Sequence, residues 1–140
     1  KKTMLFDPRE SIDFNGNTGP FIQYTHARIK SLLRKAEANG VAICVDADEA
    51  VLGAAEKELL KSLYLFPQVV ANAGDSYSPA LIANYIFDLA KDFNGFYQSS
   101  PIFKEENEAL RALRLKISKL VALVIKQGMS LLGIDVPEKM

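Results

Sequence analysis

The sequence predicts an all-α fold, a single bundle of about five helices, and three observations carry that expectation. Apolar residues recur at three- and four-residue steps along most of the chain. Helix-starting and helix-stopping residues stand where those stripes begin and end. No alternating polar and apolar run is long enough to build a sheet. The 140 residues suit one compact domain with one core.

Taken in order, residues 1–19 hold Asp7-Pro8 and the cluster Asn15-Gly16-Asn17-Thr18-Gly19, which predicts an irregular lead-in with at most a short helix around Arg9–Phe14. The first residue is Lys1 rather than methionine, which fits a piece of a longer protein. Pro20 suits a first helical position, where its missing N–H has no partner to lose, and the helix runs to Asn39-Gly40. Its apolar stripe is Ile22, Ile29, Leu32, Leu33 and Ala36, with Gln23, His26, Lys30 and Arg34 on the other side. A short β-prone run, Val41–Val45, is expected to tuck onto the core. Asp46 and Glu49 have capping-box spacing and open a second helix marked by Leu52, Ala55, Leu59, Leu63 and Phe66. Pro67 should interrupt it, because proline removes a backbone donor and crowds the preceding turn; a short third helix then covers Gln68–Ala73 and stops at Gly74-Asp75.

Ser78-Pro79 restarts the chain as a fourth helix, with Leu81, Ile82, Tyr85, Ile86, Leu89 and Phe93 on its apolar face. Gly95 weakens this helix by about 1 kcal/mol relative to alanine and permits a bend. The last and longest helix spans Glu105–Leu132. Its predicted stripe is Leu110, Leu113, Ile117, Leu120, Val121, Val124, Gly128, Leu131 and Leu132. Glu105, Glu106 and Glu108 favour its positive end, and Gly133 closes it.

Composition narrows the function. No apolar run reaches the roughly 20 residues a membrane span needs, and a single cysteine, Cys44, allows no intrachain disulfide and suits a reducing, cytoplasmic setting. One histidine and one cysteine cannot supply the usual zinc ligand sets. Asp46, Asp48 and Glu49 lack the spacing of a calcium loop, and Asn15–Gly19 lacks that of a phosphate-binding loop. His26, beside Arg28 and Lys30, reads as a surface or hydrogen-bonding group rather than a catalytic one. No active site of its own is expected in this chain, and no metal or cofactor.

A net charge of zero conceals segregation. From Phe14 to Ala36 no residue is acidic while Arg28, Lys30, Arg34 and Lys35 are present; between Ala109 and Ile134 Arg111, Arg114, Lys116, Lys119 and Lys126 repeat the pattern. Such acid-free helices either solvate the surface or form a cationic shelf. Basic residues interleaved with Tyr24, Tyr85, Phe93, Phe96 and Tyr97 suit single-stranded nucleic acid, whose phosphates need positive charge and whose bases stack on rings. Each aromatic has a competing role in the core. A helical module that binds another protein is the alternative.

The segment Asn17-Thr-Gly-Pro-Phe-Ile-Gln-Tyr-Thr-His-Ala-Arg28 resembles the NTGPYxQYAHAR stretch of arginyl-tRNA synthetases. The resemblance continues in register through Phe93–Pro101, Asn107–Lys116 and the ending Gly128-Met-Ser-Leu-Leu-Gly-Ile134 with Pro137-Glu-Lys-Met140. It implies the all-helical DALR anticodon-binding domain over residues 20–140, with 1–19 leading in from a catalytic domain. Either Glu108–Arg111 or Arg111–Arg114 matches the namesake element, and neither begins with aspartate. The HIGH and KMSKS-like signatures of the family's catalytic fold are absent, so ATP, magnesium and the attachment of arginine belong to the full-length enzyme. The implied partners are the anticodon loop of tRNA(Arg), especially its middle cytosine, and the catalytic domain of the same chain, in a monomer. By position the resemblance assigns Tyr24, Arg28, Tyr85 and Met140 to the anticodon face. Arg34 joins them as a cation of the first helix, and Arg111 and Arg114 as phosphate partners by charge. Thr25 stands where the family has alanine, and Lys139 where it has arginine.

Overall fold

A computed structural model describes residues 7–13, 16, 18–41 and 52–140. The elements are α1 (Pro8–Ser11), α2 (Gly19–Ala38), α3 (Ala54–Asp75), α4 (Pro79–Ser99), a 3-10 turn (Ile102–Lys104) and α5 (Glu108–Leu131). Among the described residues the domain is all helix, as expected, with four long helices. α4 and α5 pack together, and α2 and α3 each pack against both of them. Cys44 and the Asp46/Glu49 capping box lie outside the described residues.

Local chemistry sets the ends of the helices. Thr18 caps α2 by accepting from the Phe21 N–H at 3.4 Å, and Pro20 sits in its first turn. Gly40, at φ +65°, ends it, with the Val41 N–H bonded to the Ala36 carbonyl. Asn107, and not Glu105, caps α5 by accepting from the Leu110 N–H at 3.0 Å. At the far end the Ile134 N–H reaches the Met129 carbonyl and Gly133 N–H the Ser130 carbonyl, a Schellman motif that requires the left-handed φ of +74° at Gly133. That turn sends residues 134–140 back across the bundle.

Two sequence expectations are corrected. Pro67 does not divide the second helix; α3 runs through it from Ala54 to Asp75. Proline lacks the N–H that would bond the Leu63 carbonyl one turn back, so the helix misses one rung there. Here the Tyr85 hydroxyl, reaching over from α4, donates to the Ser62 carbonyl at 2.7 Å, and its ring stacks on Phe66 with centroids 5.6 Å apart. That contact packs α4 against the turn before the proline but does not replace the lost donor, and burial pushes the Tyr85 hydroxyl up to about 12.

The second correction is the face of α5. Leu120 and Leu131 are exposed, whereas Leu115, Ile125 and Met129, outside the predicted stripe, are fully buried. α5 is covered by three helices, so its buried surface is broader than a single stripe and rotated from it. Gly128 lies where α5 meets α4: a Cβ there would stand 2.5 Å from Ile86 Cδ1. The core of Ile29, Leu59, Ile86, Leu89, Phe93, Leu115, Val121 and Ile125 fills the space between the helices.

Candidate nucleic-acid interface

Along α2, Tyr24, Ala27, Arg28, Ser31 and Arg34 follow one another at helical spacing and share a face. Lys139 and Met140 from the returning tail close that face into an open pocket of about 410 Å³. Four of the residues singled out in the sequence therefore meet: Tyr24, Arg28, Arg34 and Met140. The Tyr24 ring and the Met140 side chain are 47% and 65% exposed, so apolar surface remains available beside two guanidinium groups.

Arg28 is held from below. Its Cζ lies 4.5 Å from the centroid of the Tyr97 ring, and one guanidinium nitrogen donates to Asn94 Oδ1 at 3.3 Å. Asn94 in turn donates to Thr25 Oγ1 at 2.9 Å, and the Thr25 hydroxyl donates to the Phe21 carbonyl at 3.0 Å. The threonine that departs from the family's alanine is thus fully buried and bonded, and it fixes the amide that holds Arg28. Asn94 escaped sequence reasoning. The one signal for it was a hydroxyl at position 25.

The tail is strapped along α2 by residues one helical turn apart. Gln23 donates to the Asp135 carbonyl at 2.8 Å, and Arg34 to the Glu138 carbonyl at 3.0 Å. Lys30 pairs with the Glu138 carboxylate at 3.0 Å. His26 Nδ1 lies 2.9 Å from the Pro137 carbonyl, which can only accept, so that nitrogen carries the proton. At 2% exposure, His26 is no surface group. The tail is consequently docked in this structure, with Met140 presented at the pocket.

Burial pulls the His26 pKa below its ordinary 6.5, against the opposing pull of the Pro137 carbonyl. Free histidine takes up a proton below about 6.5 while the docked one resists, so stability is complete above that pH and declines as pH falls below it. The single histidine gives one assignable imidazole proton resonance. Its midpoint is expected below 6.5; a midpoint at or above 6.5 would contradict the burial of this side chain.

Tyr85, Arg111 and Arg114 are not gathered into this pocket. Tyr85 is engaged at α3 as described. Arg114 donates through Nε to Glu56 at 2.7 Å and through a terminal nitrogen to Glu105 at 2.9 Å, and its side chain is 13% exposed. Arg111 donates to the Glu105 carbonyl at 3.1 Å and pairs with Glu108 at 3.5 Å. A shelf built on Arg28, Arg34, Arg111 and Arg114 together is therefore not what the fold presents; the last two lock the start of α5 to its own connection and to α3. Arg111 is held by acids of its own stretch, Glu105 and Glu108, and Arg114 by Glu105 and by Glu56, which only folding brings close.

Among the described residues no three His, Cys, Asp or Glu side chains come together in a way that would hold a metal ion. No helix among them is long and apolar enough to cross a membrane.

The chain is an all-helical bundle whose C-terminal tail closes an aromatic and cationic pocket on α2. The chain belongs to the DALR anticodon binding domain family, whose profile matches residues 22–140. It is 52% identical over 141 aligned positions to the arginine–tRNA ligase of Porphyromonas gingivalis strain W83, covering all of this chain and 24% of the relative. The arginyl-tRNA synthetase structure from Thermus thermophilus superposes with a TM-score of 0.89 at 33% identity, covering all of this chain and 24% of that one. A putative arginyl-tRNA synthetase from Campylobacter jejuni gives a TM-score of 0.81 at 30% identity, covering 96% and 29%. The chain spans about a quarter of the length of the curated relatives it matches.

Proposed function

We propose that the pocket on α2 grips the anticodon loop of tRNA(Arg) and so positions the tRNA for ATP-dependent attachment of arginine by a catalytic domain outside these residues. The observation that carries this reading is the convergence of Tyr24, Arg28, Arg34 and Met140, from two distant parts of the sequence, into one open pocket. An anticodon loop offers splayed bases and closely spaced phosphates. Tyr24 supplies a ring and Met140 an apolar lid for a base, while Arg28 and Arg34 supply planar donor forks for phosphate or a base edge. The likeness to arginine–tRNA ligases over the whole chain supports the choice of tRNA. ATP and magnesium serve the catalytic domain.

A titration with an arginine anticodon stem-loop, and with one whose middle cytosine is replaced, tests the reading. Binding should weaken with salt and discriminate between the two loops. Tyr24→Ala should lose about 1–3 kcal/mol, roughly ten- to a hundredfold, if the ring stacks on a base. Equal affinity for both loops would leave charge attraction alone. The alternative, a module for another protein, draws on Tyr64, 85% exposed, and Leu65 beside it on α3; Tyr64→Ser should leave RNA affinity unchanged.

A further inference from the structure

The acid-free faces of α2 and α5 do meet, although with different cations from those the sequence singled out. Between them lies a groove of about 420 Å³, walled by Lys30 on one side and Lys116, Lys119 and Lys126 on the other, with Leu120 and Leu123 on its floor. None of its lining residues is acidic. Lys116, Lys119 and Lys126 are exposed, and no ion pair among the described residues engages them. From Lys116 to Lys126 the helix rises by about 15 Å.

The groove and the pocket are neighbours across a single tail residue. Glu138 meets Arg34, which lines the pocket, through its carbonyl, and Lys30, which lines the groove, through its carboxylate. The Glu138 carboxylate at this junction is paired with the Lys30 ammonium.

We infer that the lysine groove between α2 and α5 is a second RNA site, a track for the phosphates of the strand that flanks the bases held in the pocket. The inference rests on the anticodon reading of the pocket. Lysines are flexible point charges that attract phosphate without demanding one geometry, which suits a sequence-independent track. The arginines of the pocket, held by Asn94 and by the tail, suit a directional role instead. The exposed leucines on the floor, outside the core, give riboses and base faces an apolar surface to lie on.

The test replaces Lys116, Lys119 and Lys126 together with glutamine in the 140-residue chain and measures binding of the arginine anticodon stem-loop across a range of salt. A control carries Lys57→Gln, Lys91→Gln and Lys104→Gln, exposed positions away from the groove with the same change of charge. Neither set touches the core, and thermal unfolding checks that both fold. Each phosphate contact to a single strand contributes about 0.7 to the slope of log affinity against log salt, so the groove variant should lose about 2 from that slope and the control much less. Discrimination against the loop with a replaced middle base should persist in the groove variant. An unchanged slope, or equal loss in both variants, overturns the track. So does a groove variant that loses affinity for polyglutamate alone, which would make the groove a seat for acidic protein. Failure of the parent chain to discriminate between the two loops is a separate result, and it defeats the pocket reading.

Discussion

Arg114→Met should lower the stability of the domain by about 3–5 kcal/mol, the usual cost of removing one partner from a buried ion pair. Glu56 is 2% exposed and Arg114 is its ion-pair partner at 2.7 Å, so the substitution strands a carboxylate in the core. For a domain of this size the midpoint of thermal unfolding should fall by on the order of 10 °C. Adding Glu56→Gln should recover much of the loss, because the stranded charge goes with it. The dependence of RNA binding on salt should stay as in the parent chain. A stable variant with a reduced salt slope would instead make Arg114 an RNA contact.

Phe93→Ala should cost about 3–5 kcal/mol in urea unfolding, the range for truncating a fully buried phenylalanine. Its ring is 0% exposed and lies 6.1 Å, between centroids, from both Phe96 and Tyr97. Tyr97 is the ring beneath Arg28, so the cavity also removes the support under a pocket cation. Affinity for the anticodon stem-loop should therefore fall even under conditions where the variant remains folded, and Phe93→Leu should lose less of both. Full stability after truncation would mean that the core closes around position 93 without it.

Much of the fold was legible because it depends on neighbours in sequence. The Thr18–Pro20 start, the Asn39-Gly40 stop, the restart at Pro79 and the stop at Gly133 are all where residue chemistry places them. On α4, Ile82, Ile86, Leu89 and Phe93 are buried together on the expected face, whereas Leu81, expected there too, is exposed. Pro67 misled because its cost is local, whereas the packing of α3 against α4 and α5 that carries the helix through it is not. The same non-local packing explains why Tyr85, an aromatic suited to a base, lies against α3.

The site divides in the same way. Tyr24, Arg28 and Met140 were singled out by the resemblance to arginyl-tRNA synthetases and Arg34 by its charge on the first helix; that the four share one pocket came from the fold. The sequence could not show that His26 is covered by the tail, or that Thr25 and Asn94 hold Arg28, because each depends on a partner more than 60 residues away.

By itself, then, the sequence determined that the chain is helical, where most helices begin and end, and that two helices carry no acids along most of their length. Those properties follow from φ preferences, backbone capping and composition, which act within a few residues. Only the tertiary structure decided which cations remain available. Folding turned Arg114 onto Glu56 and left Lys116, Lys119 and Lys126 facing a groove with Lys30. The physical reason is that a charge spends its attraction on whatever opposite charge the fold brings within a few ångströms, and that distance is set by packing between helices rather than by order along the chain.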